Sequence, residues 1–178
     1  MITADFIRKW QASYDSEAHD EIEYRHLADC LRKEIAEGRI NFETIVRAVE
    51  WKTARIKGKM DFGRPDKYCS TVKLAYDTDD QRRKLRLLIS LDGWGVPMAS
   101  TMLHFLHPDS FPIIDYRVLE VLRTENGFVA SRDTEKGYWL YYEEIHRIMK
   151  VTGLAIREID RALWAAFDGS TAKTGGGQ

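Results

Sequence analysis

Apolar residues recur every three or four positions along nearly the whole chain, and no stretch shows the two-residue alternation of a half-buried strand. Between residues 16 and 37 that spacing is kept by Ile22, His26, Leu27, Cys30, Leu31 and Ile35, and Gly38 follows as a C′ glycine. Asn41 is placed to cap a helix over Phe42–Ile56 that turns Phe42, Ile45, Val46 and Val49 to one side. Lys57–Lys67, rich in glycine and charge, reads as a loop, with helices following over Tyr68–Tyr76 and Asp80–Leu91. Asp92–Val96 is a tight turn, and Pro97 opens a helix to Leu106. Two prolines make His107–Ile114 a connection, after which Asp115 caps a helix to Arg123. A loop over residues 124–137 and two helices, Tyr138–Thr152 and Ala155–Phe167, complete the pattern. The expected fold is all-α, a single compact helical domain of about nine helices over residues 1–169, with a flexible tail at 170–178.

At 178 residues the chain is long enough to bury a core without disulfide staples. The formal net charge of −1 excludes a uniformly basic coat but conceals an uneven distribution. Seven basic against eleven acidic residues give −4 for residues 1–50, eleven against five give +6 for 51–86, and nine against twelve give −3 for 87–178. The positive stretch holds Lys52, Arg55, Lys57, Lys59, Arg64, Lys67, Lys73, Arg82, Arg83, Lys84 and Arg86. Two cysteines, Cys30 and Cys69, suit a reducing compartment and cannot supply the four thiolates of an iron–sulfur cluster. With no long apolar run and no signal-peptide pattern, the chain reads as soluble, cytoplasmic and without a membrane segment.

The most informative segment is Leu88–Leu122. Gly93-Trp94-Gly95 joins two helices and leaves main-chain N–H groups at the start of the second, where the helix dipole favours a phosphate. Taken alone this is also an ordinary helix–helix turn. The whole segment resembles the helix-hairpin-helix DNA glycosylase superfamily. There, a hydrophobic helix, a glycine turn and a helix with small residues precede an apolar run that ends in a catalytic aspartate. Leu91–Gly95 matches the turn, Ala99 and Ser100 the small residues, Pro112–Asp115 the run and its aspartate, and Tyr116–Val118 the following helix. Gly95 and Asp115 are 20 residues apart, close to the family pattern, and 35 of the 178 residues carry the match. The terminal helices, with Ile159–Trp164, are similar to small relatives in its 8-oxoguanine-glycosylase-like branch.

The resemblance implies a DNA N-glycosylase acting as a monomer on double-stranded DNA with a flipped nucleotide. In that chemistry Asp115 stabilises the positive charge that develops on the sugar and helps to activate water; in the bland alternative it only caps its helix. Superfamily members that also cut the strand carry a lysine two residues after the second glycine of the turn. Pro97 stands there, and no lysine or arginine occurs between Gly93 and Asp115, so a monofunctional enzyme leaving an abasic site is expected. The substrate is a damaged or modified base, including a modified base of phage DNA in antiviral defence.

Gly93, Trp94, Gly95 and Val96 would hold backbone phosphate, with Arg82, Arg83 and Arg86 on the helix leading into the turn. Trp94 is expected to be incompletely buried, either wedging against DNA or covering the hairpin. Trp51, Lys52 and Arg55 are candidates for a base pocket, although such a tryptophan is more often core. Tyr138, Trp139, Tyr141 and Tyr142 read as packing. His104 and His107 share a helix face but lack further ligands for a metal. No cofactor is expected, beyond a monovalent cation that the resemblance permits on the hairpin carbonyls. Two alternatives differ in class: a non-catalytic helix-hairpin-helix DNA-binding module, and a structural helical domain in which the glycines form a plain turn.

Overall fold

The computed structural model describes residues 1–15, 19–53 and 57–174. The described residues form nine helices and no strand: α1 (Ala4–Asp15), α2 (His19–Ala36), α3 (Phe42–Lys52), α4 (Pro65–Asp77), α5 (Gln81–Ile89), α6 (Val96–Leu106), α7 (Tyr116–Asn126), α8 (Glu135–Thr152) and α9 (Ile156–Thr174). They group into two compact units. One comprises Met1–Ala18 with Asp109–Gln178, and the other comprises His19–Pro108. In the first, α9 packs against α1, α7 and α8; in the second, α6 packs against α2, α3 and α5.

Several boundaries follow from local signals. Asp80 accepts from the N–H groups of Arg82 and Arg83 and starts α5. Thr134 accepts from Gly137 N and starts α8 three residues ahead of the expected Tyr138. Pro65 in the first turn likewise starts α4 ahead of Tyr68. Gly127, at φ +67°, closes α7 at Asn126, beyond the expected Arg123. α3 stops at Lys52 with Thr53 extended, short of the expected Ile56; residues 54–56 lie outside the described residues. α9 continues to Thr174, which puts part of the stretch expected to be a flexible tail into helix.

Two expectations for the second unit are corrected. Ile22 is exposed; the inward stripe of α2 is Tyr24, Leu27, Ala28 and Leu31. Asn41 does precede α3, but its side chain accepts nothing from that helix. Instead its main-chain N–H and side-chain amide both donate to the buried Glu34 carboxylate, at 2.9 and 2.7 Å, and Thr44 Oγ1 adds a third donor at 2.6 Å. A buried charge needs such partners, and the asparagine is spent on meeting that need.

Candidate active site and hairpin

Phe111–Ile114 is buried along its whole length yet belongs to no helix. Buried main-chain carbonyls outside regular structure must find donors, and α8 supplies two. Tyr138 Oη donates to Pro112 O at 3.2 Å, and Tyr141 Oη donates to Ile113 O at 2.8 Å. Both phenols are fully buried, which pushes their pKa values well above the ordinary tyrosine range. For Tyr141 the charges of Asp160 and Asp115 act in the same direction.

The run ends in Asp115, which is extended at φ −140° and ψ 151° and half-buried, and which accepts from Arg117 N at 3.0 Å through Oδ1. The carboxylate therefore caps α7, as the sequence predicts, at the helix end whose dipole favours negative charge. Arg132, in the loop before α8, pairs with Asp133 at 2.9 Å, and its hold on its proton is strengthened by Asp133 and further by Asp115. The Arg117 guanidinium lies over the Trp164 ring at 4.4 Å. Tyr138, Tyr141 and Arg132 are neighbours of the site that motif matching passes over. The tyrosines do pack, as expected, but their hydroxyls at i and i+3 also answer the donor demand of a buried proline-containing run.

The second unit contains the turn. Trp94 N donates to Leu91 O at 3.0 Å, and Gly93 has φ +80°. A Cβ at Gly93 would lie 2.7 Å from Lys59 Cβ and from Lys59 O, so glycine is required there both by backbone conformation and by space. Gly95 has neither need. Its φ is −106°, and a Cβ would meet only Pro97 Cδ at 3.8 Å. It precedes α6 without a side-chain cap, and its own N–H and that of Val96 donate to nothing among the described residues. The Val96 side chain is buried, so this residue would offer a ligand its main-chain N–H only.

Trp94 corrects the expectation of incomplete burial. It is 5% exposed, its ring lies 6.1 Å from that of Tyr68, and Nε1 has no acceptor among the described residues. Its side chain supports the hairpin from inside and is not available as a wedge. Tyr68 Oη ties the turn to the preceding loop, accepting from Asp61 N at 2.9 Å and donating to Asp92 O at 3.0 Å. Lys67 pairs with Asp92 at 2.8 Å and holds that carboxyl below the usual range. The carbonyls of Leu91, Asp92 and Gly95 all accept hydrogen bonds already, so a monovalent cation at the turn would have to share them.

Much of the positive segment is compensated locally. Lys57 pairs with Glu50, Arg64 with Asp61, and Lys73 with Asp77. Lys84 is buried and donates to Ala75 O, Tyr76 O and His107 Nε2 at 3.0, 2.8 and 3.0 Å. It thereby satisfies the last carbonyls of α4, and it is not a surface cation. Arg82, Arg83 and Arg86 are exposed on α5. Trp51 is half-buried, with its ring against Tyr24 at 5.7 Å and edge-on to Phe105 at 5.3 Å; Lys52 is half-buried, and Arg55 lies outside the described residues. His104 Nε2 lies 2.9 Å from Tyr24 Oη, whereas His107 stacks on Tyr76, so the two histidines face different partners. Among the described residues no group of three or more His, Cys, Asp or Glu side chains is placed to hold a metal, and no helix is long and apolar enough to cross a membrane.

No family model and no curated protein matches the chain. Its fold is similar to the crystal structure of Methanocaldococcus jannaschii 8-oxoguanine glycosylase/lyase in complex with a 15mer DNA containing 8-oxoguanine. The similarity has a TM-score of 0.54 at 18% sequence identity and covers 93% of this chain and 90% of that one. At that identity the likeness establishes the fold alone, an all-α architecture shared with that protein.

Proposed function

We propose that the chain is a monofunctional DNA N-glycosylase, with residues 1–169 working as one glycosylase domain on double-stranded DNA. The observation that carries this reading is Asp115. In a fold shared with a protein solved on DNA containing 8-oxoguanine, the position that the resemblance gives to the catalytic aspartate is a half-buried carboxylate opening α7 from a buried run. The main-chain N–H groups of Gly95 and Val96, with Arg82, Arg83 and Arg86, bind backbone phosphate. The target nucleotide leaves the stack. Its C1′–N bond breaks with the electron pair leaving on the base, which takes a proton from solvent. Water adds to C1′, and its proton passes to Asp115, which also stabilises the positive charge on the sugar. Pro97 replaces the lysine that would open the sugar covalently, so the strand stays whole. The substrate is a damaged or modified base, with a phage-modified base in antiviral defence as one form of it.

The cap bond from Arg117 N to Asp115 favours a second reading, a DNA-binding module in which the carboxylate serves only its helix. Duplexes carrying 8-oxoguanine, uracil, alkylated purines or hypermodified pyrimidines, incubated with protein and then treated with alkali, separate the two. The glycosylase reading expects an abasic site in at least one duplex, lost in Asp115→Asn by a factor of about 100 or more with DNA binding retained. Binding that Gly95→Asp weakens, with excision from no duplex, would leave the module; loss of all salt-dependent binding would leave a structural domain.

A further inference from the structure

The main chain ahead of Asp115 is held more firmly than a helix cap requires. Tyr138 and Tyr141 grip consecutive carbonyls, those of residues 112 and 113, and Ile114 between them and the aspartate is fully buried. The helix that carries the two tyrosines is itself fixed. Thr134 Oγ1 accepts from Gly137 N, and Gly137 approaches the 131 main chain so closely that a Cβ would collide with Ser131 O. The far end of α7 is tied to the same helix, where Asn126 Nδ2 donates to Glu144 Oε1 at 3.0 Å. α8 thus holds α7 at both ends, and the tighter grip, at 2.8 Å, is the Tyr141 hydroxyl two residues ahead of the carboxylate.

We propose that Tyr141, assisted by Tyr138, is a positioning residue for the Asp115 carboxylate, fixing the main chain from which it projects so that the carboxylate meets the reacting sugar in one geometry. This rests on the catalytic reading of Asp115. Misplacing a reacting group by about 1 Å can cost about a hundredfold in rate, so a carboxylate on a proline-flanked connection needs such a brace. Tyr141 stays a neutral donor across the working range, because burial and the charges of Asp160 and Asp115 oppose its ionisation. Asp160 is in turn held by Arg157 at 2.7 Å.

Removing the hydroxyl in Tyr141→Phe leaves Ile113 O without its donor and lets the run shift. Asp115 then loses part of its bond to Arg117 N, an interaction that favours the charged carboxylate. The expected result is a kcat lower by about tenfold to a hundredfold, an unchanged KM for DNA, and an acid limb of the rate profile moved to higher pH. The experiment compares full-length wild type, Tyr141→Phe, Tyr138→Phe and Asp115→Asn on the modified-base duplex that the wild type processes, with folding checked by circular dichroism. Folded Tyr141→Phe with wild-type kcat and an unmoved acid limb overturns the proposal, as does a raised KM at unchanged kcat. Should Tyr141→Phe fail to fold, Tyr138→Phe decides by the same two readouts. A wild type that releases no base, or a fully active Asp115→Asn, removes the glycosylase reading itself. Active wild type, inactive Asp115→Asn and unaltered tyrosine variants remove only the positioning role.

Discussion

Gly93 and Gly95 look equivalent in the sequence, and the structure separates them. Gly93 combines φ +80° with Lys59 packed where a Cβ would sit, whereas Gly95 has ordinary φ and open space. Gly93→Ala is therefore expected to lose about 1–3 kcal/mol from backbone strain alone, with more from displacing Lys59, while Gly95→Ala stays within about 0.5 kcal/mol of wild type. Urea midpoints of the two variants check this, and equal losses would show that the turn does not depend on Gly93. Single-residue chemistry was legible where a side chain acts on the main chain beside it. Asp115 caps its helix as its place after the prolines demands. Trp94 was not legible, because its burial depends on Tyr68 arriving from a helix 26 residues earlier. Lys84 reads as one more surface cation and instead serves carbonyls of another helix.

At the scale of elements, helix existence follows from periodicity, whereas helix starts are set by signals ahead of the apolar pattern, such as the Thr134 cap and Pro65 in the first turn. The joint of α4, α5 and α6 is made by Lys84 and His107, with Tyr76 stacked on the imidazole. Burial, and then the Lys84 charge, lower the His107 pKa from 6.5 to about 4. Between those values the unfolded chain binds a proton at this residue and the folded chain does not. His107 thus contributes stability that is complete above pH 6.5 and lost as pH falls toward 4. The wild-type urea midpoint is expected to drop across this window. His107→Gln keeps an acceptor for Lys84 without titrating there, and it should flatten the drop. An equally steep fall in both proteins would place the titration elsewhere.

Across the chain, all-α architecture is legible throughout the sequence, and the 35-residue segment Leu88–Leu122 carries the resemblance behind the proposed function. The braces around the site were not, since Tyr141 lies 28 residues from Ile113 and no local pattern pairs them. The net charge of −1 conceals exposed arginines on α5, but local ion pairs also shrink the positive segment that the sequence displays. Hydrolysis at a sugar–base bond without strand cleavage is tested by following free base and strand integrity together on an end-labelled modified-base duplex. Wild type is expected to release base from a strand that stays whole until alkali is added, and Asp115→Asn to release none. Base release by Asp115→Asn at the wild-type rate, or release from no duplex at all, would contradict it.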